Sequence, residues 1–315
     1  MSIRMSLALI LGIALSAILG NFASADRLDL YVVSREPGTV YVVDGDTGIL
    51  NPAPLITGLD APNYALLGPN NTLYIAENTA VRRYDAATGA QLEPTFFELG
   101  RRTNGMDFDS AGNLYVMIRD SAVASAVIAI APDGTGLGKA INDINVDSGQ
   151  DVVVGLASGN LYTTAADFTS VTGYNAAGGT GAFQWPVIGQ FGPDPGPTFT
   201  IQEGPDGNLY GIGGDDILYK LDGTSGSVLQ SVGVSGSGGL ARSLGFDEFG
   251  NVYVGFGFNG TPNVQMYNSS LVHQGEVVSS GLLGDNTGIS LVFAPEPSAL
   301  TLLSVGVVGL LRRRR

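Results

Sequence analysis

The chain has 315 residues, with 15 Lys or Arg, 29 Asp or Glu, a formal net charge of −14, 46 Gly and no Cys. The lack of cysteine excludes disulfides, cysteine-ligated zinc, iron–sulfur clusters, thiol catalysis and lipoprotein anchoring, and a single histidine, His273, excludes multi-histidine metal sites. Glycine at about twice its usual frequency without a collagen-like period, beside 44% hydrophobic residues, indicates a folded protein rich in tight turns rather than a mostly helical one.

Residues 1–25 read as a secretory signal peptide, with a positive n-region containing Arg4, an apolar stretch over 7–19 and small residues Ala23 and Ala25 placing cleavage before Asp26. The apolar run is shorter than the roughly 20 residues of a permanent span. The other end, 295–315, carries Pro295, Glu296 and Pro297, then fourteen uncharged residues over 298–311, then Arg312, Arg313, Arg314 and Arg315. As a helix at about 1.5 Å per residue, such a segment falls short of a bilayer core of about 30 Å. The arginines would stay on the cytoplasmic side, with everything before them exported.

This tripartite end resembles the PEP-CTERM sorting signal of Gram-negative bacteria. The resemblance implies transient inner-membrane insertion of the C-terminal transmembrane helix and removal of the tail by an exosortase. It also implies delivery to the outer cell surface or extracellular matrix. An ordinary tail anchor is the alternative, and it too places the module outside the cytoplasm.

Between the two signals lie residues 26–294, where 10 basic and 28 acidic residues leave a net charge of −18. Such a surface repels nucleic acid and anionic lipid. Within it a short phrase recurs: Asn71-Thr72-Leu73-Tyr74 (the loosest copy), Gly112-Asn113-Leu114-Tyr115, Gly159-Asn160-Leu161-Tyr162, Gly207-Asn208-Leu209-Tyr210 and Gly250-Asn251-Val252-Tyr253. Tyr31 begins the series, and the tyrosines are 43, 41, 47, 48 and 43 residues apart. A second phrase follows each, as in Val43-Asp44-Gly45-Asp46-Thr47-Gly48 and Leu221-Asp222-Gly223-Thr224-Ser225-Gly226. These are turns between short alternating strands, four to a copy, such as 105–108, 114–118 and 127–130 in the third and 228–232 in the fifth.

A four-stranded unit with two apolar faces, repeated at this spacing, predicts an all-β six-bladed β-propeller. The first copy lacks its opening strand, and the chain supplies a spare one at 288–293, resembling 240–246. The C-terminal strand is therefore expected to close the ring. A pair of β-sandwiches is the structural alternative. Residues 178–197, with Trp185 and four prolines, read as a long loop.

The repeats, best seen in 104–116, resemble NHL-like six-bladed propellers and the gluconolactonase-like fold. In gluconolactonase-like proteins a divalent cation is held in the channel by Glu, Asn and Asp. Asn104 matches the Asn of that family's Asn-Gly motif. Eleven residues before the anchor tyrosine, the neighbouring copies place Asn63 and Asp151. Those three are the candidate metal ligands, for Ca²⁺ or another hard cation. Phe199 and Arg242 occupy the same register in later copies, and the closing strand lacks the family's glutamate.

Asp44, Asp46, Asp215 and Asp216 read as turn residues, Arg82-Arg83 and Arg101-Arg102 as strand-end decoration, and His273 as an outer-strand residue away from the channel. No complete catalytic set emerges. The expected function is a non-enzymatic binding or interaction module, for exopolysaccharide or a surface protein, with no assigned cofactor. A metal-dependent lactonase or related hydrolase is the alternative. Mass spectrometry of the protein from its native cells is expected to find a mature form that starts at Asp26 and lacks Arg312 to Arg315. A mature form retaining the four arginines would refute exosortase processing.

Overall fold

The computed structural model describes residues 28–119, 126–141, 149–156, 158–165, 171–175, 187–191, 199–213, 216–234, 240–258, 262–278, 283 and 289–294. The expected signal peptide with Ala23, Ala25 and Asp26, the expected sorting segment with Pro295 to Pro297 and Arg312 to Arg315, and Trp185 and Asp215 lie outside them. The described residues form six four-stranded antiparallel sheets, with no helix beyond a 3₁₀ turn at Pro69–Asn71. No described helix is long and apolar enough to cross a membrane.

The first blade joins β1 (Asp29–Ser34), β2 (Thr39–Val43) and β3 (Ile56–Thr57) to the last strand of the chain. Blade 2 is β4 (Tyr64–Gly68), β5 (Thr72–Ala76), β6 (Ala80–Asp85) and β7 (Phe97–Glu98). Blade 3 is β8 (Arg102–Phe108), β9 (Leu114–Arg119), β10 (Ala126–Ile130) and β11 (Gly136–Ile141). Blade 4 is β12 (Gly149–Val154), β13 (Leu161–Ala165), β14 (Val171–Tyr174) and β15 (Val187–Phe191). Blade 5 is β16 (Thr200–Glu203), β17 (Leu209–Ile212), β18 (Ile217–Leu221) and β19 (Val228–Gly233). Blade 6 is β20 (Leu240–Phe246), β21 (Val252–Phe258), β22 (Asn263–Tyr267) and β23 (His273–Val278), and β24 (Ile289–Ala294) returns to blade 1.

The segment expected as one long loop, 178–197, instead contains β15, the outer strand of blade 4. Its flanking prolines obscured a strand whose centre is Val187-Ile188-Gly189-Gln190-Phe191. Arg82 and Arg83 also depart from expectation, because they lie inside β6 rather than at a strand end. Arg83 forms an ion pair with Glu93 at 2.5 Å, and Arg82 pairs with Glu77 at 3.3 Å.

The core is divided among the six blade interfaces. Along β1, Tyr31 and Val33 pack toward blade 2 while Leu30 and Val32 pack toward blade 6, as alternation along a strand requires. The repeated tyrosine works at these interfaces. Tyr74 meets Phe108 of the next blade at 5.0 Å between ring centroids, Tyr210 meets Phe246 at 4.9 Å, and Tyr253 meets Phe293 at 4.7 Å. Phe293 of β24 thus repeats what Phe108 and Phe246 do, which accounts for the likeness between the closing strand and 240–246.

The turn before the tyrosine is equally regular. In blade 3, Asp109 accepts hydrogen bonds from the backbone N–H groups of Ala111 and Asn113, from Asn113 Nδ2 and from the Tyr115 hydroxyl. Asp247 repeats this set with Phe249, Asn251 and Tyr253. Gly112, at φ 82°, takes the left-handed conformation the hairpin needs, and in the loosest copy Asn70 and Asn71 take it instead, at φ 59° and 54°.

Closure is made by β24 pairing with β1 over six residues, from Asp29↔Ala294 to Ser34↔Ile289. A chain ending at residue 288 is expected to lose cooperative thermal unfolding and to aggregate, because β1 becomes an exposed edge. Phe293→Ala in the full chain should keep the fold at a cost of about 2 kcal/mol, or about 5 °C in Tm. Calorimetry distinguishes the two, and an unchanged melt for the truncated chain would contradict closure by β24.

Candidate functional site

The six inner strands are β24, β4, β8, β12, β16 and β20, all running the same way around a central channel. We call the mouth where they begin the upper mouth and the one where they end, on the side of the Gly-Asn-Leu-Tyr turns, the lower. Toward the lower mouth a cavity of about 460 Å³ is lined from all six inner strands, mostly by apolar groups such as Leu66, Val154 and Phe246, with Asp107 and Glu203 among them. Tyr64 of blade 2 and Gln202 of blade 5, on opposite sides of the ring, meet across the channel, with Gln202 Nε2 donating to the Tyr64 hydroxyl at 3.0 Å.

The three candidate ligands lie near the starts of adjacent inner strands, and each bonds to the following blade. Asn63 Nδ2 donates to the carbonyl of Thr103 at 2.9 Å, and Asn104 Nδ2 donates to the carbonyl of Gly149 at 2.7 Å. Asp151 Oδ2 accepts from Thr200 Oγ1 at 2.8 Å and from the Ile201 N–H at 3.0 Å, while Oδ1 accepts from Val152 N–H at 2.9 Å. The offset from the tyrosine is not the same as strand register. Tyr162 pairs with Val153, nine residues before it, whereas Tyr115 pairs with Asp107, eight before it. Asp151 therefore stands one step further along its strand than Asn104.

Asp151 is 1% exposed and sits over Gly105, where a Cβ would overlap its carboxylate. A glycine at 105 is what allows the carboxylate into the wall. Burial pushes the Asp151 carboxyl up to about 7 in spite of its three donors, with the charge of Asp107 acting in the same direction. Asp107 is likewise pushed up to about 7 by burial, and its Oδ2 accepts from the Val154 N–H at 2.8 Å. Among the described residues, no three His, Cys, Asp or Glu side chains are grouped so as to hold a metal ion.

Arginines also gather at the upper mouth. Arg102 at the start of β8 is directly opposite Arg119 at the end of β9. Arg242, near the start of β20, lies over the ring of Phe199, with its guanidinium carbon 3.8 Å from the ring centroid. Arg35 follows the end of β1, beside the start of β24. Desolvation lowers the Arg242 pKa to about 10, reinforced by Arg119 and Arg102, and lowers that of Arg102, reinforced by Arg35 and Arg119. The sequence held one signal for this group, the register that aligns Arg242 and Phe199 with Asn63 and Asn104. Nothing local marked Arg35, Arg102 and Arg119 as neighbours, since they come from three strands of two blades.

Asp44 and Asp222 serve turns. Asp44 Oδ1 accepts from Thr47 N–H at 2.6 Å and Thr47 Oγ1 at 2.7 Å, and Asp222 bonds Ser225 in the same way. His273 lies on the outermost strand of blade 6, its Nε2 2.7 Å from Gln265 Oε1, as expected.

No protein-family description and no curated protein matches the sequence. Solved structures do match in shape. A protein of unknown function from Bacteroides caccae aligns with a TM-score of 0.60 at 12% identity, covering 86% of this chain and all of that one. A gluconolactonase from Xanthomonas campestris aligns at 0.57 and 17% identity, over 78% of this chain and 91% of its own. Virginiamycin B lyase from Staphylococcus aureus aligns at 0.53 and 12% identity, over 80% and 84%. The chain therefore has a gluconolactonase-like six-bladed β-propeller fold.

The two raised carboxyls set a pH dependence. Their ordinary value is 3.8 and their folded value about 7, so the native state binds more protons between these limits. The stability they contribute is complete below about pH 4 and is lost as pH rises through about 7. The exposed turn acids Asp44 and Asp222, whose pKa values are lowered, contribute stability above about pH 4 that is lost only as pH falls below it. Denaturant melts should show falling stability from about pH 4 to 7, with a shallower fall in Asp107→Asn. A flat profile in the unaltered protein would contradict the burial of these two groups.

Proposed function

We propose that this protein is an exported propeller, sorted to the cell surface or extracellular matrix by its C-terminal signal. There it binds a matrix component, foremost an exopolysaccharide, at the upper mouth of its ring without catalysing a reaction. The observation that carries this reading is how the mouth spends its polar side chains. Asn63, Asn104 and Asp151 are bonded into the wall between blades. The position matching theirs in blade 6 holds an arginine stacked on Phe199.

A rigid ring with a polar mouth presents a preformed binding surface at little ordering cost. Three inner strands carry register shifts at this mouth, between Thr103 and Met106, between Gly149 and Asp151, and between Ala241 and Ser243. Such bulges re-aim side chains and are enriched beside functional sites. The sorting signal, as an expectation from sequence, supplies the location.

The competing activity is cation-dependent lactone hydrolysis through Asn63, Asn104 and Asp151. The purified full chain is expected to co-sediment with exopolysaccharide from its own cells and to show no lactone turnover with added Ca²⁺. A stoichiometric bound cation, with turnover abolished by Asn104→Ala at an unchanged circular dichroism spectrum, would establish the lactonase and overturn the binding module.

A further inference from the structure

We propose that the upper mouth is an oxyanion-binding site, in which Arg35, Arg102, Arg119 and Arg242 receive a carboxylate, phosphate or sulfate group of a small or singly charged ligand. The proposal rests on the binding-module reading for its biological setting and adds the chemistry of the ligand.

The charge distribution is the first support. Residues 26–294 contain 10 basic residues against 28 acidic ones, yet Arg35, Arg102, Arg119 and Arg242 all lie at strand ends on the upper side of the ring. Each half-buried guanidinium there lies within the field of others, and the two with lowered pKa values are lowered by burial and by neighbouring arginines. Like charges held together on a rigid ring destabilise it, and a bound anion relieves the repulsion.

The second support is geometric. The Arg102 and Arg119 side chains project from directly paired positions, and Arg102 Nη2 reaches Asn63 Oδ1 at 3.4 Å. Arg102 Nε is buried without a hydrogen-bond partner among the described residues. Arg242 sits at the register shift between Ala241 and Ser243, with its guanidinium carbon over the Phe199 ring. Planar guanidinium forks fixed in this way suit two-oxygen groups.

Two described carboxylates on this side of the ring have partners of their own. Glu77 accepts from the Tyr84 hydroxyl and pairs with Arg82, and Asp216 Oδ1 accepts from the Ala241 N–H at 3.3 Å. The net charge of −18 opposes a densely charged polyanion and leaves an isolated acidic group as the better ligand.

The test is calorimetric titration of the full-length protein with sodium glucuronate, inorganic phosphate and neutral glucose. At least one oxyanion should bind, with affinity falling as ionic strength rises from about 0.01 M to about 0.15 M, while glucose does not. Arg102→Gln and Arg242→Gln should each weaken binding about tenfold or more, and Lys220→Gln, at an ion pair on the lower side, should not. Binding of glucuronate alone identifies an acidic saccharide, and binding of phosphate alone a phosphate group. Absence of binding by both oxyanions, or equal binding in the two arginine variants, overturns the site. Exopolysaccharide binding that persists unchanged in both variants also overturns it while sparing the binding module. Oxyanion binding without any exopolysaccharide binding supports the site and removes the module reading.

Discussion

Each blade of this protein is apolar on both faces, and the rest of the structure follows from the need to cover both at once. In β1 all six residues from Asp29 to Ser34 are buried, with alternate side chains committed to different neighbours. A free blade would expose both surfaces, so stability is available only to the closed ring. The hydrogen bonds between β24 and β1 are what make the ring closed. They join residues about 260 positions apart in sequence, a distance over which chain entropy must be overcome before any contact is rewarded.

The polar groups of the inner strands obey the same geometry. A side chain near the start of one inner strand is within reach of the next blade's backbone, and Asn63, Asn104 and Asp151 use that reach to bond across three successive interfaces. Ser290 on the closing strand does likewise, accepting from the Ala65 N–H at 3.0 Å. These bonds satisfy buried donors and acceptors that would otherwise be costly, and they fix the stagger of the blades. Residue types that suit a cation site therefore also suit a structural wall, and only the direction of each side chain separates the two uses.

The channel that results is electrically uneven. Carboxylates at Asp107 and Glu203 lie toward the lower cavity, and arginines from three blades lie at strand ends on the upper side. On the inner strands the register shifts fall near the starts, whereas the lower side carries the uniform Asp-anchored turns of Asp109 and Asp247. Those turns are where repetition builds the fold. Variation is concentrated on the other side, where binding chemistry can differ without disturbing the hairpins.

The amino-acid sequence alone determined the blade count, the hairpin turns and the closing strand, because these depend on short patterns with a fixed period: a glycine or asparagine in the left-handed region, a buried tyrosine, a spare strand at the C-terminus. Only the tertiary structure decided how the mouth is built. One extra residue before Tyr162 moved Asp151 along its strand, and the prolines flanking β15 concealed an outer strand in what read as a loop. Arg35, Arg102, Arg119 and Arg242 share no local motif. Their association is produced by closing a ring, which brings distant strand ends together while leaving no trace in the spacing of neighbouring residues.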